Sequence, residues 1–314
     1  MYNVIIDCDP GHDDAIALLL AGKAENINLL GVTTVAGNSY IDNVTNNAIR
    51  VLEYAGIRGV GVYEGVDRPM LQGLYRKTGE AIHGADGLGG PEIPAPVGKK
   101  QPEHAVEFML RTLCESKEKV TIIAIGPLTN LAITLVMANE QQKANIDRII
   151  IMGGSVYTEG NVLSAQEFNI YQDPEAARIV FQSGCTIDLN TLDISMKAVF
   201  TAEDKERLRA RGGKIPTFVA ELLDFFGKTY AETFNFGDCP VHDALCVGCL
   251  IDPDMIEYKR TFVDVSTADV LTRGEIVADI WGLTDHEPNC RISTKVNRER
   301  FVEMIIEHME KYNG

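Results

Sequence analysis

Short, almost continuous apolar runs alternate with amphipathic stretches through the first 190 residues of the chain. The runs at residues 4–7, 29–35, 120–125, 149–152 and 186–189 predict strands that are buried on both faces. Between them, residues 13–23, 41–55, 103–114, 128–138 and 174–183 place apolar side chains at helical spacing. Strands apolar on both faces, separated by amphipathic helices, predict an α/β fold: an open, mostly parallel sheet with helices on either side. The C-terminal third is mixed. Helices are expected at 202–211, 217–233 and 241–251, strands at 261–265 and 275–280, and a closing helix at 298–311. Ligands of such sheets sit at the carboxyl ends of the strands, so the residues that follow each strand hold the candidate chemistry.

Composition narrows the functional classes. The 314 residues are 45% hydrophobic and 24% charged, enough to bury a sizeable core. No linker, low-complexity tract or repeat divides residues 1–314, so a single domain is expected. The net charge of −16 is spread along the chain and would repel a polyphosphate, which argues against nucleic acid as a partner. Neither a G-x-x-x-x-G-K-[ST] loop nor a helix-opening G-x-G-x-x-G is present, so a small neutral substrate fits better than a phosphorylated one. The longest apolar runs, such as 15–21, are too short to span a bilayer, and no membrane partner is expected. A strand-like start without a signal peptide and seven scattered cysteines point to the cytoplasm.

The strongest local signal is Asp7-Cys8-Asp9-Pro10-Gly11-His12-Asp13-Asp14-Ala15, with four carboxylates at the exit of the first strand and the start of the first helix. Asp13 or Asp14 could simply cap that helix and complement its dipole. Capping accounts for one carboxylate, and the others repel one another unless they share a proton or a cation. An oxygen-rich cluster without a neighbouring Cys or His set favours Ca2+ or Mg2+ over zinc. The spacing is not that of an EF-hand loop, so further ligands must come from distant sequence. Candidates follow two later elements: Ile125-Gly126-Pro127, where Gly-Pro leaves a strand-end carbonyl unpaired, and Val241-His242-Asp243-Ala244 at a helix start.

Seven segments in order resemble the nucleoside hydrolase family over nearly the whole chain. They are residues 7–15, Val-Ala-Gly-Asn (35–38), His-Gly-Ala-Asp-Gly-Leu-Gly (83–89), Gly-Pro-Leu-Thr-Asn (126–130), Met-Gly-Gly (152–154), Glu-Phe-Asn-Ile (167–170) with Asp-Pro-Glu-Ala-Ala (173–177), and Val-His-Asp-Ala (241–244). The resemblance implies a Rossmann-like open α/β fold, a homo-oligomer (tetramer or dimer), and hydrolysis of the bond between ribose and base. It implies one Ca2+ held by Asp9, Asp14, Asp243 and the main-chain carbonyl of Ile125, where the family often has Thr. Ribose hydroxyls would be held by Asp13, Asn38, Asn161, Glu167 and Asn169. His242 would lie beside the leaving base, with Tyr230 lining the same pocket.

The residue types suit that reaction. Four protein oxygens leave calcium positions open for a water and two ribose hydroxyls. Asp9 is placed to take the water's proton, and His242 to protonate the departing base or else only to orient its neighbour Asp243. Neutral amides can orient a sugar that turns cationic, and the carboxylates favour its charge. A His before Asp243 resembles members that accept inosine and uridine, whereas purine-specific relatives use tryptophan stacking. The lone Trp281 is expected in the core, and His12 at the surface or behind the site. His83, in a Gly-rich loop, either closes over substrate or stays clear of it. His104, His286 and His308 read as ordinary helix or loop residues, and Cys246 and Cys249 as one face of a buried helix rather than a zinc knuckle. The sequence leaves base preference open, because loops 73–90 and 225–240 shape that end of the pocket. Two alternatives remain at this point: a haloacid-dehalogenase-type phosphohydrolase using Asp7-Cys8-Asp9 and Gly237-Asp238, and a non-catalytic Ca2+-stabilised sugar-binding module.

Overall fold

The computed structural model describes residues 1–71, 79–268 and 270–314. Among these, eight strands form one sheet: β1 (Tyr2–Cys8), β2 (Ile27–Thr34), β3 (Gly61–Glu64), β4 (Val120–Ala124), β5 (Ile146–Met152), β6 (Ile187–Asn190), β7 (Ile256–Thr261) and β8 (Cys290–Val296). Their order is β3-β2-β1-β4-β5-β6-β8-β7, and every neighbouring pair is parallel except β8 with β7. The predicted, mostly parallel architecture is therefore present.

Alternation along the strands explains why helices cover both faces. Val4, Ile6 and Cys8 belong to one hydrophobic cluster and Ile5 to another, and the same division separates Ile123 from Ile122 and Ala124. The helix His12–Lys23 is buried along its whole length from His12 to Ala21, because its sequence is apolar on every side. It packs against the helices Ile41–Ala55, Ala244–Ile251 and Arg298–Glu310. No helix among the described residues is long and apolar enough to cross a membrane.

The chain leaves β1 towards β2 and β3 on one side and later places β4 on the other, so the strand order switches between β1 and β4. Loops that diverge from such a switch point open a crevice at the carboxyl ends of the strands. Asp9 follows β1, and Ile125 follows β4, at that crevice.

The C-terminal third departs from the expected pattern. The predicted strand at 261–265 is two strands, β7 in the sheet and Val263–Val265 in a separate ribbon with Ile276–Ala278. β3 and β8 were not expected. β8 reads Cys-Arg-Ile-Ser-Thr-Lys-Val, too polar for a central strand, and it tolerates that polarity because it lies next to the edge, where its arginine meets Asp188 of β6. The predicted helix at 241–251 starts at Ala244, because residues 239–240 pair with Val199–Phe200.

Candidate active site

The turn after β1 is built from its own acidic residues. The N–H groups of Asp9 and Gly11 donate to Asp14 Oδ1 (3.2 Å) and Oδ2 (2.9 Å), so Asp14 does fasten the helix start as a capping residue. Asn38, from the loop after β2, donates its main-chain N–H to Asp9 Oδ2 at 2.7 Å and its amide to Asp14 Oδ2 at 3.2 Å. The other Asp9 oxygen, Oδ1, is buried and has no hydrogen-bond partner. Glycines make room for that carboxylate: a Cβ on Gly37 would lie 2.1 Å from Asp9 Oδ2, and one on Gly126 would lie 2.7 Å from Oδ1.

Asp243, at the N-cap of the helix Ala244–Ile251, completes the cluster from the far end of the chain. Carboxylate oxygens of Asp13, Asp14 and Asp243 lie within 4.8 Å of one another, and all three residues are buried. Burial and mutual repulsion raise their pKa values, Asp13 to about 7. Asp14 rises to about 6, chiefly through burial. Asp9 and Asp243 are pushed well above the carboxylate range by burial and by the surrounding carboxylates. Charges forced together in this way create a demand for a counter-charge. With the unpartnered Oδ1 of Asp9 beside them, this oxygen-only donor set fits a hard divalent cation. The tight trio contains Asp13 rather than Asp9, which lies alongside it.

Above the carboxylates opens a pocket. Asp13, Asn38, His83, Ile125, Asn161, Glu167, Asn169, Tyr230, His242 and Asp243 all line it, whereas Asp9 and Asp14 lie beneath. The Ile125 carbonyl is not unpaired, as the sequence had suggested. It accepts from Asn169 Nδ2 at 2.9 Å, and its second lone pair remains available. Glu167 accepts from the N–H groups of Gly154, Asn169 and Ile170, which fixes the loop after β5. Asn161 Oδ1 accepts from the Phe168 N–H, and its side chain also reaches the Tyr230 hydroxyl.

His242 is held at both ring nitrogens, Nδ1 to Ser195 Oγ at 2.7 Å and Nε2 to the Tyr230 hydroxyl at 2.8 Å. Burial lowers its pKa to about 3, so the ring is neutral at physiological pH. Phe226, Phe168 and Ile82 supply apolar wall that the sequence reading missed. Phe226 lies four residues before Tyr230 on one helix, a spacing that could have found it. Ser195 carries no sequence signal.

Of the two places open to His12, the structure gives the one behind the site: it is fully buried, and its Nδ1 faces His83 Nδ1 at 3.0 Å. His83 is buried at the pocket wall, the first of its two alternatives. One expectation is corrected: Trp281 is 82% exposed and not in the core, in the turn that follows the strand Ile276–Ala278. Of the base-side loop 73–90, residues 73–78 lie outside the described residues. Asp238, which the phosphohydrolase alternative would need, is not among the residues lining the pocket.

Comparison with known proteins agrees with this geometry. The family described as inosine-uridine preferring nucleoside hydrolase matches residues 4–303. The chain is 39% identical over 310 residues to the pyrimidine-specific ribonucleoside hydrolase RihA of Escherichia coli O81 (strain ED1a), covering 98% of both chains. It is 40% identical over 310 residues to RihA of Citrobacter koseri, again over 98% of both. Among solved structures, a purine-preferring ribonucleoside hydrolase from Gardnerella vaginalis superimposes with a TM-score of 0.91 at 29% identity, covering 99% of this chain and 98% of that one. The plant nucleoside hydrolase PpNRh1 gives 0.90 at 30% identity, over 98% of both chains.

Proposed function

The chain belongs to the inosine-uridine preferring nucleoside hydrolase family and is an enzyme that hydrolyses the N-glycosidic bond of ribonucleosides, and we propose that it does so around one Ca2+ with pyrimidine ribonucleosides as preferred substrates. The observation that carries the metal assignment is the convergence of Asp9, Asp13, Asp14 and Asp243, with a buried, partnerless Asp9 oxygen, at the foot of an amide-lined pocket. Asp9, Asp14, Asp243 and the Ile125 carbonyl would hold the cation. When bound, it offsets the carboxylate repulsion and lowers the pKa of a neighbouring water.

The chain's own groups then divide the work. The Asn38 N–H pins one oxygen of Asp9, which leaves Oδ1 to accept the proton of the attacking water. Asp13, which reaches the open pocket, takes sugar hydroxyls together with Asn38, Asn161, Glu167 and Asn169. As the glycosidic bond breaks, its electron pair leaves with the base, and the water oxygen forms the new bond to the anomeric carbon. The carboxylates and amide dipoles favour the positive charge that develops on the sugar. His242 and Tyr230, joined at 2.8 Å, give the departing base its proton. His83, which also lines the pocket, contacts substrate beside them.

The pyrimidine preference rests on the pyrimidine specificity named for the relatives at 39–40% identity and on an aromatic wall of phenylalanines. The homo-oligomer (tetramer or dimer) and the cytoplasmic location are proposed with it; the seven free cysteines accord with a reducing compartment. The test is reducing-sugar release from uridine, cytidine, inosine and adenosine, before and after a chelator and with Ca2+ restored. Turnover fastest on uridine or cytidine, lost with chelator and recovered with Ca2+, is the expected result. Undiminished turnover after exhaustive chelation would remove the metal from the proposal.

A further inference from the structure

A second cavity opens at the other end of the sheet, where β5, β6 and β8 begin, away from the strand ends that carry the acidic cluster. Three guanidinium groups line it, those of Arg148, Arg260 and Arg291, against a single lining carboxylate, Glu287. That balance is unusual in a chain of net charge −16. The strand register sets the arginines in a row with Asp188. Arg291 of β8 pairs with Asp188 of β6 on one side and with Arg260 of β7 on the other. Ile150 of β5 also pairs with Asp188, so Arg148, two positions earlier, shares the same face.

Asp188 accounts for two of the three cations. It is 2% exposed, and Arg291 donates through Nε and Nη2 to both of its oxygens. Arg148 donates through Nη1 to Asp188 Oδ2 at 3.4 Å and through Nε to Asp147 Oδ2 at 3.2 Å. A buried carboxylate needs such partners. Arg291 is steadied further by the Tyr258 ring, whose centre lies 5.3 Å away. Arg260 is left over. Its guanidinium has no partner among the described residues, and it sits directly across from Arg291. Like charges opposite one another weaken a strand pair. The edge position of β7 explains a charge on that strand but not a second arginine facing the first.

Uncommitted donors remain on all three side chains: Nη1 of Arg291, Nη2 of Arg148 and the whole fork of Arg260. Donors brought by three different strands suit a tetrahedral oxyanion better than a planar carboxylate, which one fork can satisfy. Such an anion would also relieve the repulsion between Arg260 and Arg291. Cys185 and Pro288 line the same cavity and offer apolar wall to an organic substituent.

We propose that this cavity is a second binding site, which takes the phosphate group of a small phosphomonoester through Arg148, Arg260 and Arg291. It is separate from the reaction pocket, whose carboxylates repel the same group.

Titration calorimetry on the Ca2+-loaded protein, freed of excess Ca2+ and at low ionic strength, tests the site with glycerol 3-phosphate, inorganic phosphate and glycerol. Glycerol 3-phosphate should bind, and glycerol should not. Arg260→Gln should weaken that binding by about 10- to 100-fold, the loss of a charge-assisted contact. Because Arg260 holds no partner, the variant should keep the native Tm and the native rate on uridine. Glycerol 3-phosphate should raise the Tm of the native protein and not that of the variant. No binding of either anion, or equal binding by the variant, would overturn the site. Binding of inorganic phosphate with exclusion of the ester would overturn the phosphomonoester as its ligand. A variant of lower Tm in anion-free buffer would show that Arg260 supports the fold instead.

Discussion

At the scale of single residues, the site depends on a few atoms being fixed by their hydrogen-bonded neighbours. The Asn38 N–H holds one oxygen of Asp9 and leaves the other bare, while Ser195 and Tyr230 hold both nitrogens of His242. Two variants separate the proton roles. His242→Ala should lower kcat on inosine or uridine by about 10²- to 10⁴-fold, but far less on p-nitrophenyl riboside, whose leaving group needs no acid. Asp9→Ala should cripple both substrates, since both need the water activated. Equal losses for His242→Ala on the two substrates would sink the acid role. Gly37→Ala tests the close approach, because its Cβ would lie 2.1 Å from Asp9 Oδ2. Displacing that carboxylate by about 1 Å should cost on the order of 10²-fold in kcat, with circular dichroism unchanged. The carboxylates, Asn38, His83, Tyr230 and His242 were all legible in the sequence, through motif spacing and resemblance. Ser195 and the buried state of His12 were not, since each is defined by a contact across the fold: Ser195 with His242, and His12 with His83 and Gly89.

At the scale of elements, the helix His12–Lys23 joins stability to function. Its first turn carries Asp13 and Asp14, and its remaining length to Ala21 is sealed between neighbouring helices and the sheet. Leu19→Ala should therefore cost about 2–5 kcal/mol, read as a lowered chemical-denaturation midpoint, because the void cannot fill with solvent. Val136→Ala, on the exposed side of the helix Thr129–Met137, should change stability by less than about 0.5 kcal/mol. A comparable loss at both positions would contradict the packing. Continuous apolar character made the five strands β1, β2, β4, β5 and β6 and the helices between them readable. β8 escaped because its Arg291 answers Asp188 of β6, so its polarity makes sense only beside that partner. The two strands of the ribbon, Val263–Val265 and Ile276–Ala278, were readable in the runs 261–265 and 275–280, whereas the exposure of Trp281 was not, because residue type alone assigns a tryptophan to the interior.

At the scale of the whole molecule, carboxylates from the two ends of the chain, Asp13, Asp14 and Asp243, are buried together at one point. In metal-free protein Asp13 titrates near 7 and Asp14 near 6, both above the ordinary carboxylate value. A raised folded-state pKa means that the native chain binds more protons than the unfolded chain between about pH 4 and 7, so stability falls as pH rises through that window. The expected outcome is a Tm of the metal-free protein that declines from pH 4.5 to 7, on the order of the titration window just given, and that Ca2+ largely restores at pH 7. Saturation at one hundred times Kd should contribute about 2.7 kcal/mol. A metal-free Tm that rises over the same range would contradict the clustering. The sequence by itself determined the strand–helix alternation, the acidic turn after β1 and the family, because each is written in neighbouring residues through period, spacing and motif. The tertiary structure decided that Asp243 joins Asp13 and Asp14, that Asp9 keeps a free oxygen beside them, and that His12 meets Gly89. Those facts depend on strand order and on contacts between residues up to 230 positions apart (Asp13 to Asp243), which no local pattern encodes.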